Sequence, residues 1–323
     1  MQDRRAFSKD LCHNDVMVSS EKSFDNRIGQ EADMKRAVCV GINNYPGFFN
    51  DLKGCVNDAK DWSALLQGLG FETSLMLDSQ ATKNNVKAAL VGLIDRTNAG
   101  DVAVFTYSGH GTQVTERGGD EGDPYDEAIY LYDGNVIDDE LRLILQGIHP
   151  QAILVVISDS CFSGSVTRIA PEPAKPRFIP PTVATTGKVA RRSFLLPEAD
   201  MPEILISGCS DSEYSYDAEF NGRPNGAMSA YAIQVIKQNP NITYREFYSG
   251  LRALLPSDDY PQSPQLEGSD ANKDRRLFEP LAVEPGPQPD PSPTPSPTPE
   301  PIPAPNSPGC LMGAIQQITR FFK

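Results

Sequence analysis

What this chain has little of narrows its function before any motif is considered. No stretch approaches about 18 consecutive apolar residues, so no membrane-spanning helix is expected. The opening MQDRRAFSKDLCHNDVMVSS lacks the apolar segment of a secretory signal. Basic residues are in deficit, 29 Lys and Arg against 43 Asp and Glu, and the net charge of −14 argues against nucleic acid as a partner. The six cysteines (Cys12, Cys39, Cys55, Cys161, Cys209 and Cys310) contain no CxxC and no dense cluster, which excludes a disulfide framework or a zinc ribbon. The expectation is a cytoplasmic protein with reduced thiols and no firm membrane anchor.

Histidine is scarcer still. His13 falls in a polar segment without period and His149 in the turn GIHPQ, which leaves His110 as the one imidazole placed like a functional group. The rest of the chain shows why its place matters. Apolar, β-branched runs at RAVCVGIN (36–43), ETSLMLD (72–78), DVAVFTYSGHG (101–111), AILVVISDSC (152–161) and EILISGCS (203–210) read as strands. Between and after them, Ala59, Trp62, Leu65, Leu66 and Leu69, then Val86, Leu90, Leu93 and Ile94, recur at helical spacing. EAIYLYDG suggests a short hairpin, and DDELRLILQGI, GAMSAYAIQVIKQ and TYREFYSGLRALL suggest helices, the last opened by a Thr243–Glu246 capping box.

Strands alternating with helices predict an α/β sandwich on a mostly parallel sheet, in which ligands bind beyond the carboxyl ends of the strands. His110 and Cys161 both lie just past such ends. An imidazole that accepts a thiol proton and a thiolate that attacks a carbonyl make a nucleophilic pair, and the pair must meet in space rather than in sequence. Gly111 lets a backbone N–H approach the reacting oxygen, with the N–H of Cys161 as the second oxyanion donor. Taken singly, a cysteine at a strand end is an ordinary partly buried thiol and GHG an ordinary tight turn; it is their joint placement that points to catalysis.

Residues 166–202, rich in Pro, Thr and basic residues, read as an exposed linker. From Pro285 to Pro305 proline takes every odd position, which forces extended chain, and the segment ends in the short apolar-basic CLMGAIQQITRFFK. The expected organisation is a poorly ordered polar leader (1–35), a region carrying the His–Cys pair (36–165), the linker (166–202), a second region of the fold (203–281) and a proline-rich tail (282–323).

YSGHGT and DSCFSG closely resemble the histidine and cysteine motifs of caspase-like cysteine peptidases, specifically type I metacaspases and their bacterial relatives. LKGCVNDAK (52–60), DDEL (138–141) and GAMSAYAI (226–233) resemble further blocks of that family, in the family's order over about residues 36–280. The resemblance implies a caspase-like three-layer α/β/α sandwich with a six-stranded, mostly parallel sheet whose last strand, near PQLEGSD, is antiparallel. It implies that His110 is the general base and Cys161 the nucleophile. It also implies an acidic pocket for an Arg or Lys before the cut, at Cys55, Asp58, Ser108 and Asp159, and charge pairing gives the same preference on physical grounds.

No cofactor is implied for the chemistry itself. Calcium is implied at Asp126, Asp138 and Asp139, although the family's fourth aspartate position is here Arg168 and its usual histidine after the nucleophile is Phe162. The family further implies monomeric action on protein or peptide substrates and self-processing in the linker, after Arg168, Lys175, Arg177, Lys188, Arg191 or Arg192. Two alternatives stand beside this reading: a catalytically silent caspase-like scaffold, and a caspase-like peptidase of different specificity, cutting after Asp.

Overall fold

In a computed structural model of the chain, residues 34–47, 50–115, 125–161, 175–180, 198–210 and 213–282 are described, with backbone alone at 115, 125 and 126. The apolar run RAVCVGI forms β1 (Lys35–Gly41) and is followed by α1 (Cys55–Gly68), which buries Ala59, Trp62 and Leu66 on one face. β2 (Glu72–Leu77), α2 (Lys83–Asp95) and β3 (Val102–Ser108) repeat the alternation. An antiparallel ribbon comes next, built from β4 (His110–Thr115), β5 (Tyr125–Leu131) and β6 (Gly134–Ile137). After α3 (Asp138–Leu145) the chain returns to the main sheet as β7 (Ile153–Asp159).

Two two-residue strands follow, β8 (Lys175–Pro176) and β9 (Phe178–Ile179), and then β10 (Glu203–Ser207). The hairpin of β11 (Tyr216–Phe220) and β12 (Arg223–Gly226) leads into α4 (Ala227–Gln238) and α5 (Tyr244–Arg252). β13 (Gln265–Glu267) and α6 (Asp270–Lys273) close the described chain.

The main sheet has the order β13-β10-β7-β3-β1-β2 and is parallel except for β13, as the sequence predicts. One face packs against Trp62 of α1, Met228 and Ile236 of α4, and Tyr244 and Phe247 of α5. The other packs against Val86, Leu90 and Leu93 of α2 and Leu145 of α3. Every residue of β3 and β7 is buried, which is why both read as unbroken apolar runs rather than alternating ones. Register aligns Gly41 with Ser108 and Ser108 with Asp159, so three strands end level and form one ledge.

Three expectations are corrected. The strand expected over 101–111 is two: β3 stops at Ser108, and His110 opens β4 in a different sheet. Gly109 makes the break possible, because a Cβ there would run into the hydroxyls of Tyr107 and Tyr45. The linker expected to be exposed is not so at 175–179, where β8 and β9 run beside the ledge and Arg177 is fully buried. Composition registers the polarity of that segment but not the distant carboxylates that Arg177 meets. Finally, α5 ends at Arg252, short of Leu255, while its Thr243–Glu246 capping box forms as expected. Leader residues 1–33, the linker positions Arg168, Lys188, Arg191 and Arg192, Phe162, and tail residues 283–323 lie outside the described residues.

Candidate active site

The ledge carries His110, Cys161, Asp58 and Asp159 to one place. His110 is 1% exposed, and its backbone is held from both sides: its N–H donates to Tyr45 Oη at 3.0 Å, and its carbonyl accepts from Tyr107 Oη at 2.7 Å. The Tyr45 ring also lies 5.0 Å from the imidazole. On the imidazole, Nε2 is 2.6 Å from the carbonyl oxygen of Asn50, a pure acceptor, so Nε2 carries the proton. Nδ1 is then the basic nitrogen, and it is buried with no hydrogen-bond partner among the described residues. Burial pushes the imidazole pKa down to about 4, with Lys175 and Arg177 adding to the effect against the raising pull of the Asn50 carbonyl. The ring is therefore neutral at physiological pH and able to accept a proton.

Cys161 follows the end of β7 and is fully buried. Its Sγ accepts the Ser215 N–H at 2.7 Å and donates to the Ser215 carbonyl at 3.2 Å. The N–H groups of Cys161 and Gly111 converge on a single oxygen, the carbonyl of Arg177, at 3.2 and 3.0 Å. A Cβ at Gly111 would collide with the Cys161 carbonyl, so only glycine permits the two donors to come this close.

The side chain of Arg177 fills an acid-lined pocket. Its Nη2 is 2.7 Å from Asp58 Oδ2 and 3.2 Å from Asp217 Oδ1, and its Nη1 is 3.1 Å from Asp159 Oδ2. Nη1 also donates to the Asp159 carbonyl at 3.1 Å. Burial raises the Asp58 carboxyl pKa to about 6, opposed chiefly by Arg177, while the three carboxylates keep the guanidinium protonated. Helix ends hold the acids in place. Asp58 accepts the Gly226 N–H at 2.9 and 3.0 Å and Asp159 the Ser229 N–H at 2.9 Å, both at the start of α4. Asp217 accepts the N–H groups of Lys53 and Gly54 at 2.7 and 2.8 Å, at the start of α1.

Two other residues expected in the pocket stand differently. Cys55, the first residue of α1, is buried beside it, its thiol pKa pushed well up by burial against a lowering pull from Arg177. Ser108 is buried next to Asp159 in register, but its carbonyl accepts the Ile42 N–H at 3.1 Å and it makes no hydrogen bond to the guanidinium.

Of the three residues expected to hold calcium, Asp138 and Asp139 are described with their side chains. Asp138 and Asp139 sit in the first turn of α3, where Asp138 pairs with Arg142 at 3.6 Å. Asp126 lies on β5 opposite Val114, its side chain outside the described residues. Among the described residues no three His, Cys, Asp or Glu come together as a metal site.

A family model described as the caspase domain matches residues 34–275. The chain belongs to that family. Metacaspase-1 of Scheffersomyces stipitis is 33% identical over 288 residues, covering 73% of this chain and 70% of the relative. Metacaspase-1A of Aspergillus fumigatus is 32% identical over 285 residues, covering 73% and 68%. A crystal structure of a protein from Geobacter sulfurreducens superposes with a TM-score of 0.62 at 27% identity, covering 77% of this chain and all of that one. Membership of the caspase and metacaspase family makes the protein a cysteine-type peptidase.

Sequence reasoning missed Asp217, Ser215 and Tyr45 at this caspase-like site. Asp217 lies in a short polar hairpin between Glu213 and Glu219, and no local pattern separates the three. One signal was available. α1 and α4 begin at Gly54 and Gly226, with no side-chain cap of their own. Helix starts without a local cap need acceptors from elsewhere, and the pocket acids supply them.

Proposed function

We propose that this peptidase is an endopeptidase that cuts after arginine, and after lysine less well, with Cys161 as nucleophile and His110 as base. The observation that carries the reading is the chain's own Arg177. Its guanidinium sits among Asp58, Asp159 and Asp217, and its carbonyl accepts from both Gly111 and Cys161. A substrate arginine held this way presents its carbonyl carbon beside the nucleophile.

The Cys161 thiol passes its proton to His110 Nδ1, and the thiolate adds to the carbonyl carbon. The oxyanion formed is stabilised by the two N–H groups. The C–N bond then breaks, the imidazolium protonates the leaving amine, and water hydrolyses the thioester. Before attack the thiol must leave the Ser215 backbone, since no hydrogen bond joins Sγ to the imidazole. A guanidinium fork reaches carboxylates on opposite sides of the pocket, whereas an ammonium is a single point; this favours Arg over Lys. Three carboxylates offer nothing to a substrate Asp, which argues against the caspase-like preference.

Arg177–Phe178 is then also the self-processing bond. While that strand lies in place Cys161 is sealed from solvent, so this bond is the first it reaches. The reaction needs no cofactor, and Asp126, Asp138 and Asp139 are the residues through which calcium would act on it. The proposal includes action as a monomer on protein substrates. No helix among the described residues is long and apolar enough to cross a membrane. Cys39, Cys55, Cys161 and Cys209 are free, which supports a reducing, cytoplasmic setting.

The test is incubation of the full chain with N-terminal sequencing, beside hydrolysis of an Arg-aminocoumarin peptide with calcium or with a chelator. A fragment beginning at Phe178, and coumarin release, should appear with wild type and be absent with Cys161→Ala. Processing elsewhere alone, or coumarin release by Cys161→Ala, would refute the assignment.

A further inference from the structure

We propose that the protein also binds its substrate after the cut, through a subsite built on Gly111 and Thr112 of β4 and on Tyr214, which takes an extended segment with an aromatic residue first and an aliphatic one second. This rests on the arginine-directed reading above and extends it to the other side of the scissile bond.

The chain's own strand shows the arrangement. Phe178 and Ile179 pair in parallel with Gly111 and Thr112. Thr112 Oγ1 donates to the Ile179 carbonyl at 2.8 Å. The Phe178 ring lies 6.1 Å from that of Tyr214 in a tilted arrangement, and Ile179 is buried. Tyr214 directly precedes Ser215, whose carbonyl accepts both the Cys161 thiol and the Arg177 N–H. The groups that read the residues after the cut are thus continuous with those that hold the reacting bond.

Two features separate a substrate subsite from packing peculiar to the linker. The contacts to β4 are largely to backbone, so any extended peptide can make them. And β9 is the outer strand of the sheet β6-β5-β4-β9, so its departure after processing leaves β4 as an open edge beside the nucleophile. An edge whose first residue paired with β9 is the oxyanion donor Gly111 fixes the register of whatever strand replaces β9.

The test uses the full chain after self-processing and three substrates sharing Lys-Pro-Arg. One continues in Phe-Ile, one in Gly-Gly, and one ends in aminocoumarin. The aromatic contact and the apolar burial predict kcat/KM for Phe-Ile at least about 10-fold above Gly-Gly. Tyr214→Ala should bring that ratio toward one. Thr112→Val removes a hydrogen bond to backbone that both peptides make, so it should lower both relative to aminocoumarin by about 3- to 10-fold. Equal efficiency on Phe-Ile and Gly-Gly by wild type overturns the subsite while leaving arginine-directed cleavage intact. Failure to cut any of the three removes the arginine reading as well, and the two failures are told apart by the aminocoumarin signal.

Discussion

Replacing Arg177 by alanine tests the pocket most directly. Arg177 is fully buried, and its guanidinium is the shared partner of Asp58, Asp159 and Asp217 at 2.7, 3.1 and 3.2 Å. Removing one partner of a buried charge cluster typically costs about 3–5 kcal/mol, because the remaining charges stay desolvated and unpaired. For a domain of this size that is a fall in Tm on the order of 10 °C. The sign of the pH dependence follows from Asp58. Its folded pKa is raised from 3.8 to about 6, so the folded state binds the extra proton in that window, and this group's contribution to stability falls as pH rises through it.

Arg177 opposes that rise, so without it the carboxyl moves further up. The loss caused by Arg177→Ala should therefore be smaller at pH 5 than at pH 7.5. Ethylguanidinium, which refills the vacated space, should restore about 2.7 kcal/mol when present at roughly 100 times its Kd. Urea unfolding of Cys161→Ala with and without the Arg177 substitution, at both pH values, separates these effects from cleavage. A loss below about 1 kcal/mol would show that the three acids are solvated rather than dependent on Arg177, and a larger loss at pH 5 would refute the Asp58 argument.

Three other predictions follow from the same geometry. Gly111→Ala forces apart the two donors on the Arg177 carbonyl and should lower kcat by about 100- to 1000-fold, measured with an Arg-aminocoumarin substrate; a loss under tenfold would count against the oxyanion assignment. Asp217→Asn removes one charged contact to the substrate guanidinium and should reduce kcat/KM for Arg by roughly 10- to 100-fold, with a smaller effect on Lys, read from paired Arg and Lys substrates. The imidazole of His110 is held down to about 4, so the unfolded chain binds the extra proton between about 4 and 6.5, and this group adds stability as pH rises through that window. The acid limb of single-turnover self-processing should lie well below 6.5, and a limb at 6.5 would mean that the ring is solvated before the bond is cut.

The parallel sheet was legible in the sequence because strands buried on both faces leave unbroken apolar runs, as β3 and β7 do. The placement of His110 and Cys161 just past strand ends was legible because tight turns after strands favour small residues, and GHG and SCFSG carry them. The full pocket was not. Asp58 and Asp159 drew notice only through a family motif, and Asp217 not at all, since a carboxylate that caps a remote helix reads locally as an ordinary acid. The linker misled for a related reason: a buried, fully paired arginine and a solvated one are the same letter.

The sequence alone therefore determined the layers of the fold, the order of its strands in the chain and the chemical class of the protein, a cysteine peptidase, all of which follow from local periodicity, residue chemistry and motif. Only the tertiary structure decided which acids share one cation, which imidazole nitrogen is left basic, and that Arg177 lies across the site. Those depend on contacts such as Asp58 with Arg177, 119 positions apart, and Gly226 with Asp58, 168 apart. No local pattern encodes such pairings; they exist once β1, β3 and β7 end level and bring the ends of α1 and α4 to the same ledge.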